Sequence, residues 1–110
     1  MSYVKYEQLL KDAGTPRTDA VGGEIALKKP DAIRALELLE NTDIGVLGGD
    51  VYELEDDGYF QPTYDNWYCS KNADDGKNFA QKSRKVAIDY IRNYKETSRI
   101  KIRYVMVLDI

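Results

Sequence analysis

The sequence predicts a small α+β domain in which about three helices pack on a mostly antiparallel sheet. Apolar residues recur at helical spacing in three segments, whereas the middle and the end of the chain are rich in β-branched and aromatic residues. With 110 residues, 43% of them hydrophobic and 32% charged, the chain is large enough for one domain with its own core. We therefore expect residues 1–110 to form a single domain.

The first predicted helix runs from Tyr3 to Ala13, with Ser2 as its N-cap and Gly14 at its end. The Val21-Gly22-Gly23 segment is expected to form a turn. It lacks the further glycines and the Lys-Ser/Thr pair that a phosphate-binding loop requires.

A second helix is predicted over about Pro30 to Glu40. Proline suits the first turn of a helix, where its missing N–H would have no partner. The broad apolar face of this segment predicts that the helix is buried. Residues 24–27, just before it, form either a short strand or an extended lead-in.

Residues 44–54 are predicted to form a strand that is interrupted by Gly48 and Gly49, because glycine within a strand marks a bulge, a bend or a close approach. The acidic turn at 55–58 contains an Asp-Gly pair, which favours a hairpin. A return strand begins at 59–61, and the proline that follows either keeps it at a sheet edge or ends it.

Residues 64–69 leave two arrangements open. They form a loop that places Trp67 in the core, or a strand with Trp67 and Tyr68 on opposite faces. Because Asp65 and Asn66 favour turns, we expect an Asx-type turn followed by a short strand. Cys69 is interpreted as a small buried apolar residue.

The longest predicted helix spans about 76–94 and is capped by Asp74 or Asp75. Ser83 and Tyr90 lie in its apolar stripe, and we interpret Ser83 as a packing residue that is hydrogen-bonded to the helix backbone. A last strand is predicted over 99–109. Its first half alternates and should be half exposed, while residues 105–108, apolar on both faces, should lie deep in the sheet.

The amino-acid composition excludes several classes of catalytic site. The chain has no histidine and one cysteine, which removes the commonest general base and metal ligand and every Ser-His or Cys-His nucleophile. An intramolecular disulfide is also excluded. No signal peptide is apparent and no apolar run is long enough to span a bilayer, so we expect a cytoplasmic protein that does not act in the membrane.

Charge is unevenly distributed. Residues 50–75 carry a net charge of −7 and half of the twelve aromatic residues, whereas residues 76–110 carry +6. Acidic residues interleaved with aromatic ones are more typical of a surface for a cationic protein than of a nucleic-acid site. The alternative interpretation is that the acidic middle and the basic end face each other within the fold.

A carboxylate site is a further alternative. Asp50, Glu53 and Asp65 could bind Mg²⁺ or Ca²⁺, or serve a small hydrolytic domain, although their spacing matches no EF-hand loop. A scaffold or dimerisation module, including a homodimer, is a third interpretation, and an exposed edge on the terminal strand would favour it.

Four pieces of the sequence occur in an order that resembles the immunity protein 40 family. They are L-G-G-D-V-Y at 47–52, Y-D-N-W-Y at 64–68, the helix pattern that includes Ser83 and Tyr90, and the upstream helix at 31–39. The resemblance extends from Leu27 to the C-terminus. It implies a small cytoplasmic protein of bacterial polymorphic toxin systems, without enzymatic activity, catalytic residues, metal or cofactor, that binds a cognate toxin domain.

The resemblance and the charge pattern together indicate which residues would contact that toxin. The candidate contact residues are Asp50, Tyr52, Glu53, Glu55, Asp56, Asp57, Asp65, Trp67 and Tyr68. The candidate structural residues are Gly48, Gly49, Ser83 and Tyr90, and the alternative for Trp67 is that it is an ordinary core tryptophan.

Overall fold

The computed structural model describes residues 2–16, 24–71 and 78–110. In chain order the elements are α1 (Ser2–Ala13), β1 (Thr15–Pro16), β2 (Ile25–Ala26), α2 (Lys29–Glu37), β3 (Gly45–Leu54), β4 (Phe60–Tyr68), α3 (Asn78–Asn93) and β5 (Lys101–Asp109). The predicted α+β class is confirmed. The turn expected at 21–23 and the caps expected at Asp74 or Asp75 lie outside the described residues.

Strand β3 lies at the centre of a three-stranded antiparallel sheet, with β4 on one side and β5 on the other. The short strands β1 and β2 form a separate antiparallel ribbon. Leu27, directly after β2, exchanges two backbone hydrogen bonds of 2.8 and 2.9 Å with Tyr104, and so ties the ribbon to β5. The 24–27 segment is therefore a short strand with an extended end.

The main core lies between one face of the sheet and the helices. Helices α2 and α3 pack on that face, and α1 packs on α2 and the ribbon. The three helices and the three strands of the larger sheet all contribute at their apolar positions, as the amphipathic patterns predict. The buried residues are Tyr6, Leu27, Ala32, Ala35, Leu36, Leu39, Val46, Val51, Trp67, Ala87, Ile91, Ile102 and Tyr104.

Strand β4 differs from the expected turn and short strand. It runs without a break from Phe60 to Tyr68, with an irregularity opposite Asp50–Tyr52. Tyr64 absorbs the extra length by adopting a left-handed conformation (φ 67°), and the Thr63 hydroxyl donates to the Val51 carbonyl across the strands. The turn propensity of Asp65 and Asn66 is thus outweighed by strand pairing.

The burial expected for the second half of β5 was wrong in part. Tyr104 and Val105, near the middle of the strand, are buried, whereas Val107 is 44% exposed. Helix α2 and Leu27 contact the first part of the strand. Beyond it, no described segment covers the side chain of Val107, so the run at 105–108 is buried only at Val105 and half-buried at Met106 and Leu108.

Two residues on consecutive positions of α3 connect this helix to the start of β3. The buried Ser83 hydroxyl donates to the Ala80 carbonyl, as expected, and also accepts the Val46 N–H at 2.9 Å. Arg84 donates to the carbonyl oxygens of Thr42 and Ile44 at 3.1 and 2.7 Å. Burial lowers the pKa of Arg84, an effect that the nearby Glu40 partly offsets.

Candidate partner-binding surface

The two glycines in the middle of β3 face opposite sides of the sheet. Gly49 is opposite Trp67 on β4, and the Trp67 indole lies over it so closely that a Cβ would collide with the ring. The other side of the indole contacts Tyr90 of α3, with 4.9 Å between ring centroids. Gly49 therefore makes room for a tryptophan on the helix-covered face.

Trp67 was expected among the contact residues, and its placement does not fit that role. Only 7% of the residue is exposed, and its Nε1–H has no hydrogen-bond acceptor among the described residues. A ring held between Gly49 and Tyr90 is part of the core. The strand arrangement with Trp67 and Tyr68 on opposite faces is the one that occurs.

Gly48 lies on the other face, which we call the open face because no helix of the described chain packs on it. Its cross-strand neighbours are Tyr68 on β4 and Val107 on β5. A Cβ at Gly48 would collide with the Trp67 carbonyl, so the close approach of β4 requires glycine here. Tyr68 is 75% exposed and Val107 44%, and they flank a position that has no side chain.

The gap above Gly48 forms a groove of about 350 Å³, which we call the glycine groove. Asp50, in the next row of the open face, lies between Asn66 and Val105 and closes one end. No hydrogen bond or ion pair joins the Asp50 carboxylate to another described residue. The groove is lined by Leu47, Gly48, Gly49, Asp50, Asn66, Trp67, Tyr68 and Val107.

The far end of the open face is filled by a small cluster. Tyr52 packs edge-to-face against Phe60, with 6.1 Å between ring centroids, and Phe60, Val105 and Ala26 are buried beside it. Tyr52 is half-buried in this contact. It stabilises the hairpin end of the sheet and offers part of its ring to solvent.

The acidic residues of the hairpin lie at its tip. Glu55 is partly exposed and Asp56 and Asp57 are exposed. Asp57 accepts the Tyr59 N–H at 3.0 Å and so stabilises the turn, while Asp56 lies 3.7 Å from the Lys101 amine in a solvent-exposed ion pair. These carboxylates project a negative charge beyond the end of the sheet.

The remaining two carboxylates belong to the helix-covered side. Asp65 accepts a 2.6 Å hydrogen bond from the Tyr94 hydroxyl, and burial together with this bond raises the pKa of Tyr94. Glu53 is opposite Ile102, a core residue, and therefore shares its face of the sheet. The nine predicted contact residues thus occupy three places rather than one.

The positions of the acidic side chains test the alternative that Asp50, Glu53 and Asp65 form a metal or hydrolytic site. Asp50 lies on the open face, whereas Glu53 and Asp65 lie on the other side of the sheet. Within residues 2–16, 24–71 and 78–110, no three His, Cys, Asp or Glu side chains come close enough together to hold a metal ion. The metal-binding and hydrolytic interpretation gains no support from the geometry.

Sequence patterns did not identify three residues of the glycine groove, Leu47, Asn66 and Val107. Val107 is 59 positions from Gly48 in the sequence, and they become neighbours only through the strand register. One signal was available. Tyr68, Asn66 and Asp50 belong to the motifs that carry the family resemblance, and strand alternation places Asn66 and Tyr68 on one face.

Comparison with known proteins supports one family. No curated protein and no solved structure matches this chain significantly. None of the helices described here has the length and apolar character needed to cross a membrane. The family model described as immunity protein 40 matches residues 10–108, starting well before Leu27, where the resemblance was expected to begin. The chain belongs to the immunity protein 40 family.

Proposed function

We propose that the protein binds a cognate bacterial toxin domain and neutralises it through the open face of the sheet. The observation that carries this proposal is the exposure of Tyr68 beside the glycine groove, next to Asp50, which has no partner among the described residues. Tyrosines exposed next to a pocket are common anchors of protein interfaces. Membership of an immunity protein family provides the class of partner.

The charge distribution supports a cationic partner. Residues 50–75 carry a net charge of −7, and the hairpin tip presents Glu55, Asp56 and Asp57 to solvent. Such a field raises the association rate of a basic protein and is weakened by salt. A toxin with a basic substrate groove would match it. For the same reason we propose that nucleic acid and the membrane are not partners.

The residues take different roles in this proposal. Asp50 and Tyr68 make direct contact, and the hairpin carboxylates steer the encounter. Glu53 and Asp65, on the helix-covered side, add only to the negative field, while Trp67 holds β4 in place beneath the surface. Neutralisation needs no chemistry by this chain, so we propose a non-enzymatic, cytoplasmic inhibitor that blocks the toxin's active site or substrate path.

Co-expression tests the proposal. The toxin gene encoded directly upstream should arrest growth alone, and growth should recover when this protein is produced with it. The two proteins should also elute together on gel filtration. Asp89→Asn, which removes an exposed acid from α3, is the matched control and should still rescue. Absence of both rescue and complex with the wild-type protein would refute the proposal.

One observation favours a homodimer as a second candidate. Beyond Tyr104, the outer side of β5 pairs with no other described strand. Unpaired edges are templates for strand addition by another chain. Light scattering over a wide range of protein concentrations would decide this, since a mass that stays at 12.6 kDa would exclude the dimer.

A further inference from the structure

The shape of the glycine groove limits what can occupy it. Two successive rows of the open face are about 7 Å apart along β3, because a strand rises about 3.3–3.4 Å per residue. The row of Gly48 provides a floor of bare backbone between Tyr68 and Val107, and the row of Asp50 provides a carboxylate. A long, narrow side chain fits this plan, with an apolar stem and a polar end.

The volume agrees with a single side chain and its immediate neighbours. About 350 Å³ lies at the lower end of the range for pockets that enclose whole small molecules. The walls on the stem side are Leu47, Tyr68 and Val107, which are apolar or aromatic. Long cationic side chains bury their stems on such surfaces and keep the charged end at a polar site.

The polar end of the groove selects a cation. Asp50 has no partner among the described residues, and no basic side chain is among the residues that line the groove. The neighbouring Asn66 side chain can accept a further hydrogen bond. An anion would meet an uncompensated carboxylate here, and a neutral group would leave that carboxylate unpaired.

Arginine matches the groove better than lysine. A guanidinium is planar, donates two parallel hydrogen bonds to one carboxylate and stacks on aromatic rings. Asp50 offers the carboxylate, and the 75% exposed Tyr68 offers the ring. A lysine would pair with the Asp50 carboxylate through its charge, but it could not form two parallel hydrogen bonds or stack on the ring.

We propose that the glycine groove receives an arginine side chain of the partner, with its stem over Gly48, its guanidinium paired with Asp50 and its plane against Tyr68. This inference rests on the proposed function, since it names the group through which the toxin would be held. A free arginine derivative should therefore also bind weakly at the same place, without any toxin.

Nuclear magnetic resonance of the isotope-labelled protein tests the inference without a toxin. Titration with N-acetyl-L-arginine amide should shift the backbone amide signals of Gly48, Gly49, Asp50 and Tyr68. N-acetyl-L-citrulline amide has nearly the same shape without the charge and should bind at least about tenfold more weakly, as expected when a charge-assisted hydrogen bond is lost. Asp50→Asn should abolish the difference between the two ligands.

Three results would overturn the inference. These are equal binding of the arginine and citrulline compounds, equal binding of N-acetyl-L-lysine amide and the arginine compound, or shifts that map outside the groove. Asp50→Asn keeps the size of the side chain, and an unchanged spectrum elsewhere in the protein would establish that the variant is folded.

The outcome is separable from that of the proposed function. With the toxin, Asp50→Asn should weaken binding about ten- to a hundredfold, the usual range for a hydrogen bond to a charged group. If the wild-type protein rescues growth and Asp50→Asn binds as tightly, the arginine inference fails and the proposed function stands. If the wild-type protein does not rescue at all, the proposed function fails, whatever the titration shows.

Discussion

Trp67 and Tyr68 are adjacent in the sequence, yet one is buried and the other is exposed. The Trp67 indole is enclosed between Gly49 and Tyr90, whereas 75% of Tyr68 is exposed on the other side of the same strand. Both are large aromatic residues within one motif, so composition does not distinguish them. The helix-covered face of this sheet therefore maintains the fold, and the open face is available for recognition.

Gly48 and Gly49 also lie on different faces, Gly49 on the helix-covered face and Gly48 on the open face. Gly49 leaves space that the Trp67 indole fills, whereas Gly48 allows the close approach of β4 and lies beneath a groove that no described residue fills. A substitution on the helix-covered face should therefore affect stability first, and one on the open face should affect binding first.

The sharpest test of the division truncates the two aromatic neighbours separately. Trp67→Ala should lower the free energy of unfolding by about 4 kcal/mol, since a large buried ring is replaced by a cavity. Tyr68→Ala should change it by less than about 0.5 kcal/mol, because an exposed residue is removed. Urea unfolding followed by circular dichroism measures both. Similar losses for the two variants would contradict their placement on opposite faces.

Gly49→Ala should be the next most damaging change. The added methyl group collides with the Trp67 indole and approaches the Val105 carbonyl, and overpacking of this kind costs about 3 kcal/mol. Gly58→Ala is the control. It adds the same group in open space at a left-handed turn position (φ 88°). Its cost should be about 1 kcal/mol, the strain of that conformation. If both cost the same in urea unfolding, the contact over Gly49 is not tight.

Ser83→Ala should reveal the connection between α3 and β3. Without the hydroxyl, the buried Val46 N–H loses its acceptor, and an unsatisfied buried donor costs about 2 kcal/mol. Ser70→Ala changes an exposed serine and should have almost no effect on unfolding. Slow exchange of the Val46 amide proton in the wild type, lost in Ser83→Ala, would support the same bond. Equal stability of the two variants would argue against it.

A tyrosine of the helix-covered face should make the stability of the protein depend on pH in alkaline solution. Burial and the 2.6 Å hydrogen bond to Glu96 raise the pKa of Tyr104 above its ordinary value of 10.0. The raised pKa favours the folded state fully below pH 10, and this contribution is lost as pH rises further, because the unfolded chain releases the proton first. Stability should fall by about 1.4 kcal/mol per pH unit for this group.

Tyr104→Phe provides the measurement for that prediction. Urea unfolding of the variant above pH 10 should depend less steeply on pH than that of the wild type. An unchanged slope in Tyr104→Phe would mean that Tyr104 does not release its proton on unfolding in this range.

Much of the fold follows from local patterns. Apolar residues at helical spacing predicted α1, α2 and α3, and the Asp-Gly pair at 57–58 predicted the hairpin between β3 and β4. The glycines of β3 were expected to mark a bulge or a close approach, and the register of β3 shifts between Val46 and Gly48. These features depend on residues close together in the chain, which is why the sequence reveals them.

The parts that escaped prediction depend on distant partners. The Ser83–Val46 hydrogen bond spans 37 positions, and the neighbourhood of Gly48 and Val107 depends on a strand register set by bulges. Turn propensity at Asp65 suggested a break in β4, but pairing with β3 and the bulge at Tyr64 keep the strand intact. The acidic segment was correctly found as a segment, yet its side chains separate onto two faces and a hairpin tip.

Isothermal titration calorimetry of Tyr68→Ala with the purified toxin domain tests the proposed recognition through the open face. The variant should unfold at the same urea concentration as the wild type and bind about thirtyfold more weakly, the loss of one anchoring tyrosine. Val4→Ala, which truncates an exposed apolar side chain on α1, should bind as the wild type does. Undiminished affinity in a folded Tyr68→Ala protein would contradict recognition through the open face.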